Sequence, residues 1–77
     1  MFVGRRYIQQ GGYKGWAIRF ADKVKANGVA TTAYSYAMSE DERFEMTRRI
    51  TAALNLTSQY TTEQIEQMCA AQQAKKG

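Results

Sequence analysis

Apolar positions fall with different periods in the two halves of the chain, so strands are expected up to about residue 38 and helices after it. Asn27-Gly28, whose residues reach positive backbone dihedrals easily, is a strong signal for a two-residue hairpin turn. It joins residues 16–26 to residues 29–38, the latter rich in β-branched and aromatic side chains. Gly11-Gly12 offers a weaker turn between residues 2–9 and the segment from Tyr13 onward. The expectation is a three-stranded antiparallel meander.

Two-residue turns at both sites fix the register, and with it the face of every side chain. Val3, Tyr7, Trp16, Ile18, Phe20, Val24, Val29 and Ala33 share one face, with Arg5 as its misfit. Arg6, Ile8, Arg19, Lys23, Lys25, Thr32, Tyr34, Tyr36 and Met38 share the other. The first face is the expected core, the second a basic and aromatic outer surface. A bulge at Gly15 or a longer loop exchanges the faces along part of a strand.

Ser39 with Glu42 three positions on forms a capping box, and Glu40, Asp41 and Glu42 sit where the helix dipole favours negative charge. This helix is expected to reach about residue 54, with Phe44, Met46, Thr47, Ile50, Thr51, Ala53 and Leu54 inward. Glu42, Glu45, Arg48 and Arg49 face water. A second helix starts at Thr61, with Gln64 closing a capping box and Tyr60 and Ile65 placed as a hydrophobic staple. Ile65, Met68, Cys69 and Gln72 form its apolar stripe. The predicted fold is a single α+β domain over residues 1–77, a β-meander followed by two helices on one face (β-β-β-α-α), with residues 73–77 as a fraying tail.

Composition narrows the chemistry. The chain has 77 residues and no histidine, and Cys69 is its single cysteine, which removes intrachain disulfides and the common zinc sites. The first-turn carboxylates are explained by capping. Cys69 lies on a helical apolar stripe rather than at a helix start, so a buried, inert thiol is expected. Gly11, Gly12 and Gly15 lie between strands, unlike a phosphate loop, which runs from strand to helix. No catalysis, cofactor or metal is expected. Arg5 and Arg6 interrupt any early apolar run, and no stretch approaches the roughly 20 residues of a membrane span, so a cytoplasmic chain is expected.

Charge is uneven. Residues 1–38 carry six Lys and Arg against Asp22 alone, a balance of +5, whereas residues 39–77 carry five against six, a balance of −1. Arg6, Arg19, Lys23, Lys25, Tyr34 and Tyr36 are therefore the candidate partner-binding residues. Tyrosine and arginine are enriched in protein interfaces, and the same pairing serves stacked bases and phosphates. A protein partner and a nucleic acid both remain open, as does a homodimer paired along a free sheet edge.

Residues 48–68, RRITAALNLTSQYTTEQIEQM, resemble a C-terminal pattern of small accessory proteins of tailed bacteriophages and prophages. Arg49-Ile50, Ala52-Ala53-Leu54-Asn55 and Thr62-Glu63 carry the resemblance. Leu56, Thr57 and the longer loop at 58–60 depart from it. The resemblance implies a phage protein acting in a bacterial cytoplasm by binding a host factor or defence complex, as the anti-CRISPR inhibitors do. The basic balance sets this chain apart from acidic DNA mimics.

Overall fold

A computed structural model describes residues 1–11, 13–22 and 28–76, with side chains through residue 73. Its strands are β1 (Tyr7–Gln9), β2 (Ala17–Phe20) and β3 (Gly28–Thr31), and its helices are α1 (Glu40–Leu56) and α2 (Thr62–Lys76). A short 3-10 turn, Tyr13–Gly15, precedes β2. The sheet is antiparallel in the order β1-β2-β3. The observed fold is α+β with the expected β-β-β-α-α order.

Register is where the structure departs from the expectation. A two-residue turn at Gly11-Gly12 opposes Tyr7 to Trp16, yet Tyr7 lies opposite Phe20, four residues further on. An even slip leaves the facing of β2 unchanged, so Tyr7, Ile18 and Phe20 still share a face. Within this longer connection Gly11 and Gly15 take positive φ, and Gly15 backs against α1. A Cβ on Gly15 would lie 2.9 Å from the Phe44 ring.

The second hairpin slips by an odd number. The expected register opposes Ile18 to Ala37, whereas Ile18 faces Ala30, seven residues earlier, with a bulge before Arg19 meets Gly28. An odd slip turns the strand over as far as the bulge, beyond which the Arg19–Gly28 pair is displaced by an even eight residues. Thr32, expected outside, is buried, while Val29 and Ala33, expected in the core, are exposed. Asn27, half of the expected turn, lies outside the described residues, as do Gly12, Lys23, Val24 and Lys25.

Both capping boxes form. Ser39 Oγ accepts the Glu42 N–H, and the Glu42 carboxylate accepts the Ser39 N–H at 2.9 Å. Thr61 and Gln64 repeat the arrangement at the start of α2. This second helix runs on through residues 73–76, read from sequence as a tail.

Tyr7, Trp16, Ala17 and Ile18 form the apolar core with the hydroxyl residues Thr32, Thr47, Thr51 and Ser58. Arg5 is accommodated on the core face by stacking over the Phe20 ring at 4.0 Å and pairing with Asp22. The Gly4 N–H donates to the Ser58 carbonyl, which ties the N-terminal segment to the connection between the helices. The molecule is flat, 39 × 32 × 13 Å, with a radius of gyration of 14.2 Å. A compact chain of this length has about 11.5 Å.

Candidate functional site

The inward face of α1 is built from hydrogen-bonding side chains at four-residue spacing: Arg43, Thr47, Thr51 and Asn55. The Arg43 guanidinium lies 3.7 Å over the Trp16 ring while its Nε donates to the Thr32 carbonyl at 2.7 Å. The Thr47 hydroxyl, fully buried, donates to the Arg43 carbonyl and lies 2.7 Å from the Thr32 hydroxyl. With the Thr47 proton so used, Thr32 is the donor to Thr47. Thr51 donates to the Thr47 carbonyl.

Asn55 completes the ridge by acting as a short piece of strand. Its Oδ1 accepts the Tyr7 N–H and its Nδ2 donates to the Tyr7 carbonyl, both at 2.9 Å. These are the backbone groups that β1 turns away from β2, so the amide closes an edge that is otherwise open to another strand. In the sequence Asn55 lies just past the expected helix end at about residue 54, and Arg43 belongs to neither of the two faces assigned to that helix. Their four-residue spacing with Thr47 and Thr51 was the available signal. Polar side chains so spaced read as a solvated face unless the opposing carbonyls are known.

The candidate contact residues are spread over the first half of the chain. Arg19, in β2, faces outward beside Ile8, with its guanidinium packed over Gly11. Arg6 reaches the other way and donates to the Asn55 carbonyl at the end of α1. Tyr34 and Tyr36 follow β3 in an irregular segment, their rings edge to face at 5.5 Å and both well exposed. The Ala37 N–H bonds the Ser35 hydroxyl and so bends the chain between these rings and α1. The Thr32 N–H bonds the Trp16 carbonyl, so the tyrosines continue past the Trp16 end of β2, three residues before Arg19. That separation is roughly 10 Å along a strand. Lys23 and Lys25 lie outside the described residues.

A second surface lies at the opposite end of the chain. Leu56, Thr57, Tyr60, Ile65, Met68, Cys69 and Gln72 line an open cleft of about 360 Å³. Leu56 is 81% exposed. Cys69, expected buried, is exposed because nothing among the described residues covers this side of α2.

Among the described residues no group of three or more Cys, Asp and Glu side chains is placed to hold a metal ion. Glu42 is held below its ordinary carboxyl range by the Ser39 backbone N–H and then by the Ser39 hydroxyl, a helix cap rather than a reactive site. No described helix is long and apolar enough to cross a membrane. Comparison of the chain with protein-family models, curated proteins and solved structures yields no match.

Proposed function

We propose that this chain is a non-catalytic binding protein that acts by holding a protein partner through the Tyr34–Tyr36 pair and the outer sheet face bearing Arg19. The observation that carries this reading is the tyrosine pair. Two large rings pack against each other, 69% and 98% exposed, on a segment that contributes neither ring to the core. Tyrosines so placed offer large amphipathic contact area at low entropic cost, the pattern of interface anchors. The resemblance of residues 48–68 to phage accessory proteins supports a host factor as that partner, bacterial defence complexes included.

Substitution of Tyr34 and Tyr36 by alanine together with Arg19→Glu tests the proposal. Affinity capture from bacterial lysate, read by mass spectrometry, is expected to recover a defined partner with the wild type and to lose it with the variant. Circular dichroism must show the same fold in both. The same partner on an equally folded variant rules the surface out.

The basic balance of the first half favours a second reading, in which the same face stacks and neutralises a single-stranded nucleic acid. That reading requires a fluorescent oligonucleotide to bind with an affinity that falls steeply as salt rises. An absence of binding at low salt eliminates it.

A further inference from the structure

We infer that two copies of this chain pair antiparallel along their β3 strands, about a two-fold axis beside Thr31, and so join two three-stranded sheets into one of six. The pairing edge precedes the tyrosine pair in the chain and does not depend on the function proposed for it. The sheet ends at β3, whose four residues are all exposed. The direction of its backbone groups follows from the ladder. The Thr32 N–H bonds the Trp16 carbonyl, so that pair is a hydrogen-bonded one, and the pair before it, Ala17 with Thr31, turns its groups the other way. The Ala17 carbonyl accordingly accepts from the Gln10 N–H, just past β1. The Thr31 N–H and carbonyl therefore point off the edge of the sheet, where a further strand would bond them. The bulge guards only the Gly28 end, and Ala30 to Thr32 keep a regular register.

The two edges of the sheet differ, and the difference identifies what covers β3. Edge strands are ordinarily guarded by a charge, a proline or a covering element. On β1 the guard is present, because the Asn55 amide takes both the outward N–H and the carbonyl of Tyr7. On β3 no such residue stands, since positions 28–39 contain neither a charge nor a proline. Copies with both edges open would join β3 to the next β1 and continue into a filament, as head-to-tail contacts do. With β1 closed, β3 is the open edge among the described strands, so copies meet β3 to β3 and assembly stops at two. An antiparallel pair about a two-fold axis is self-complementary, each copy offering the donor and the acceptor that the other needs. The uncharged segment lets like meet like without repulsion, and two threonines side by side make a favourable cross-strand pair. Strands this short place the dimer at the weak end of specific association.

Sedimentation equilibrium on the full chain over a rising concentration series tests this, and the mass is expected to move from one chain toward two. Over the same series hydrogen exchange at the Thr31 amide is expected to slow, because pairing takes up its N–H. Thr31→Pro removes that N–H and leaves the bonds to β2 in place. It is expected to associate at least about tenfold more weakly than wild type, since the two-fold axis doubles the lost bond. Thr31→Val keeps the N–H and is expected to associate as wild type does. Asn55→Ala, which reopens β1, is expected to pass beyond two chains. A mass of one chain throughout the series overturns the proposal, and so does a Thr31→Pro variant, folded by circular dichroism, that associates as well as wild type. Should that variant fail to fold, the wild type decides: a doubled mass with unchanged exchange at Thr31 places the contact elsewhere and overturns the proposal equally. A folded Asn55→Ala that stops at two chains overturns the role given to the closed edge.

Discussion

The two helices depart in opposite ways from the surfaces their sequences advertise: α1 buries a polar ridge, and α2 leaves its apolar stripe uncovered. α1 docks on the sheet with Arg43, Thr47, Thr51 and Asn55, all hydrogen-bonded, and leaves Phe44, Met46 and Ile50 between 37% and 45% exposed. α2 carries Ile65, Met68 and Cys69 and covers none of them fully. The difference shows that an apolar stripe is not sufficient to dock a helix. α1 meets a sheet whose backbone presents unpaired groups, and buried polar groups cost about 1–3 kcal/mol each when left unsatisfied. Side chains that satisfy them define the contact, and the apolar residues take the space that remains.

The comparison breaks most readily at Arg43. Arg43→Ala removes the cation over Trp16, the bond to the Thr32 carbonyl and the packing of a half-buried stem, and is expected to cost about 3 kcal/mol. Urea unfolding followed by the fluorescence of Trp16, the single tryptophan, reads this directly. A loss below half that value would make the ridge incidental to docking.

Asn55→Ala leaves both outward backbone groups of Tyr7 without their partner and is expected to cost about 2 kcal/mol. Because it reopens the β1 edge, faster hydrogen exchange at the Tyr7 amide is a second readout. Unchanged exchange would show that the edge is closed by something else.

Thr47→Val strips the acceptor from the buried Thr32 hydroxyl and is expected to cost about 1.5 kcal/mol, whereas T32V/T47V, which removes both partners, recovers most of it. Additive losses in the double variant would mean that the two hydroxyls are not coupled.

On α2 the expectation is nearly the reverse. Met68→Gln in dilute protein is expected to change unfolding free energy by no more than about 0.5 kcal/mol, as for an exposed position. A larger loss would place Met68 in the core rather than at the exposed position it occupies.

The smallest effect concerns the α1 cap. The carboxyl of Glu42 is depressed in the folded state, so its contribution is present above the ordinary value of 4.5 and is lost as pH falls through the lowered folded value. Thermal melts between neutral pH and pH below 4.5 are expected to show a component that Glu42→Gln removes, since the amide still accepts the Ser39 N–H but does not titrate.

Helix starts were legible because capping is local: Ser39 with Glu42, and Thr61 with Gln64, need only three residues of chain between them. The α+β order was legible for the same reason, through the change of period near residue 38. The facing of β3 was not. It depends on whether a loop slips the register by an odd or an even number, and glycines that permit a tight turn also permit a long one.

The candidate surface divides along the same line. Arg19 faces outward beside Ile8 as read from alternation, because the even slip of the first hairpin leaves β2 unturned. Tyr34 and Tyr36, read as strand residues of the same face, lie beyond the end of β3, where alternation no longer governs direction. Lys23 and Lys25 lie outside the described residues.

By itself, then, the sequence determined the order of elements, the helix starts and the uneven charge, all properties of neighbouring residues. Tertiary structure alone decided the register of β3, that Thr32 beyond it is buried, that α1 docks through Arg43 and Asn55, and that the apolar stripe of α2 lies open. Each of these depends on groups far apart in the chain, such as the Tyr7 backbone and an amide 48 residues later. Local pattern cannot reveal a hydrogen-bond partner that only the folded chain brings near.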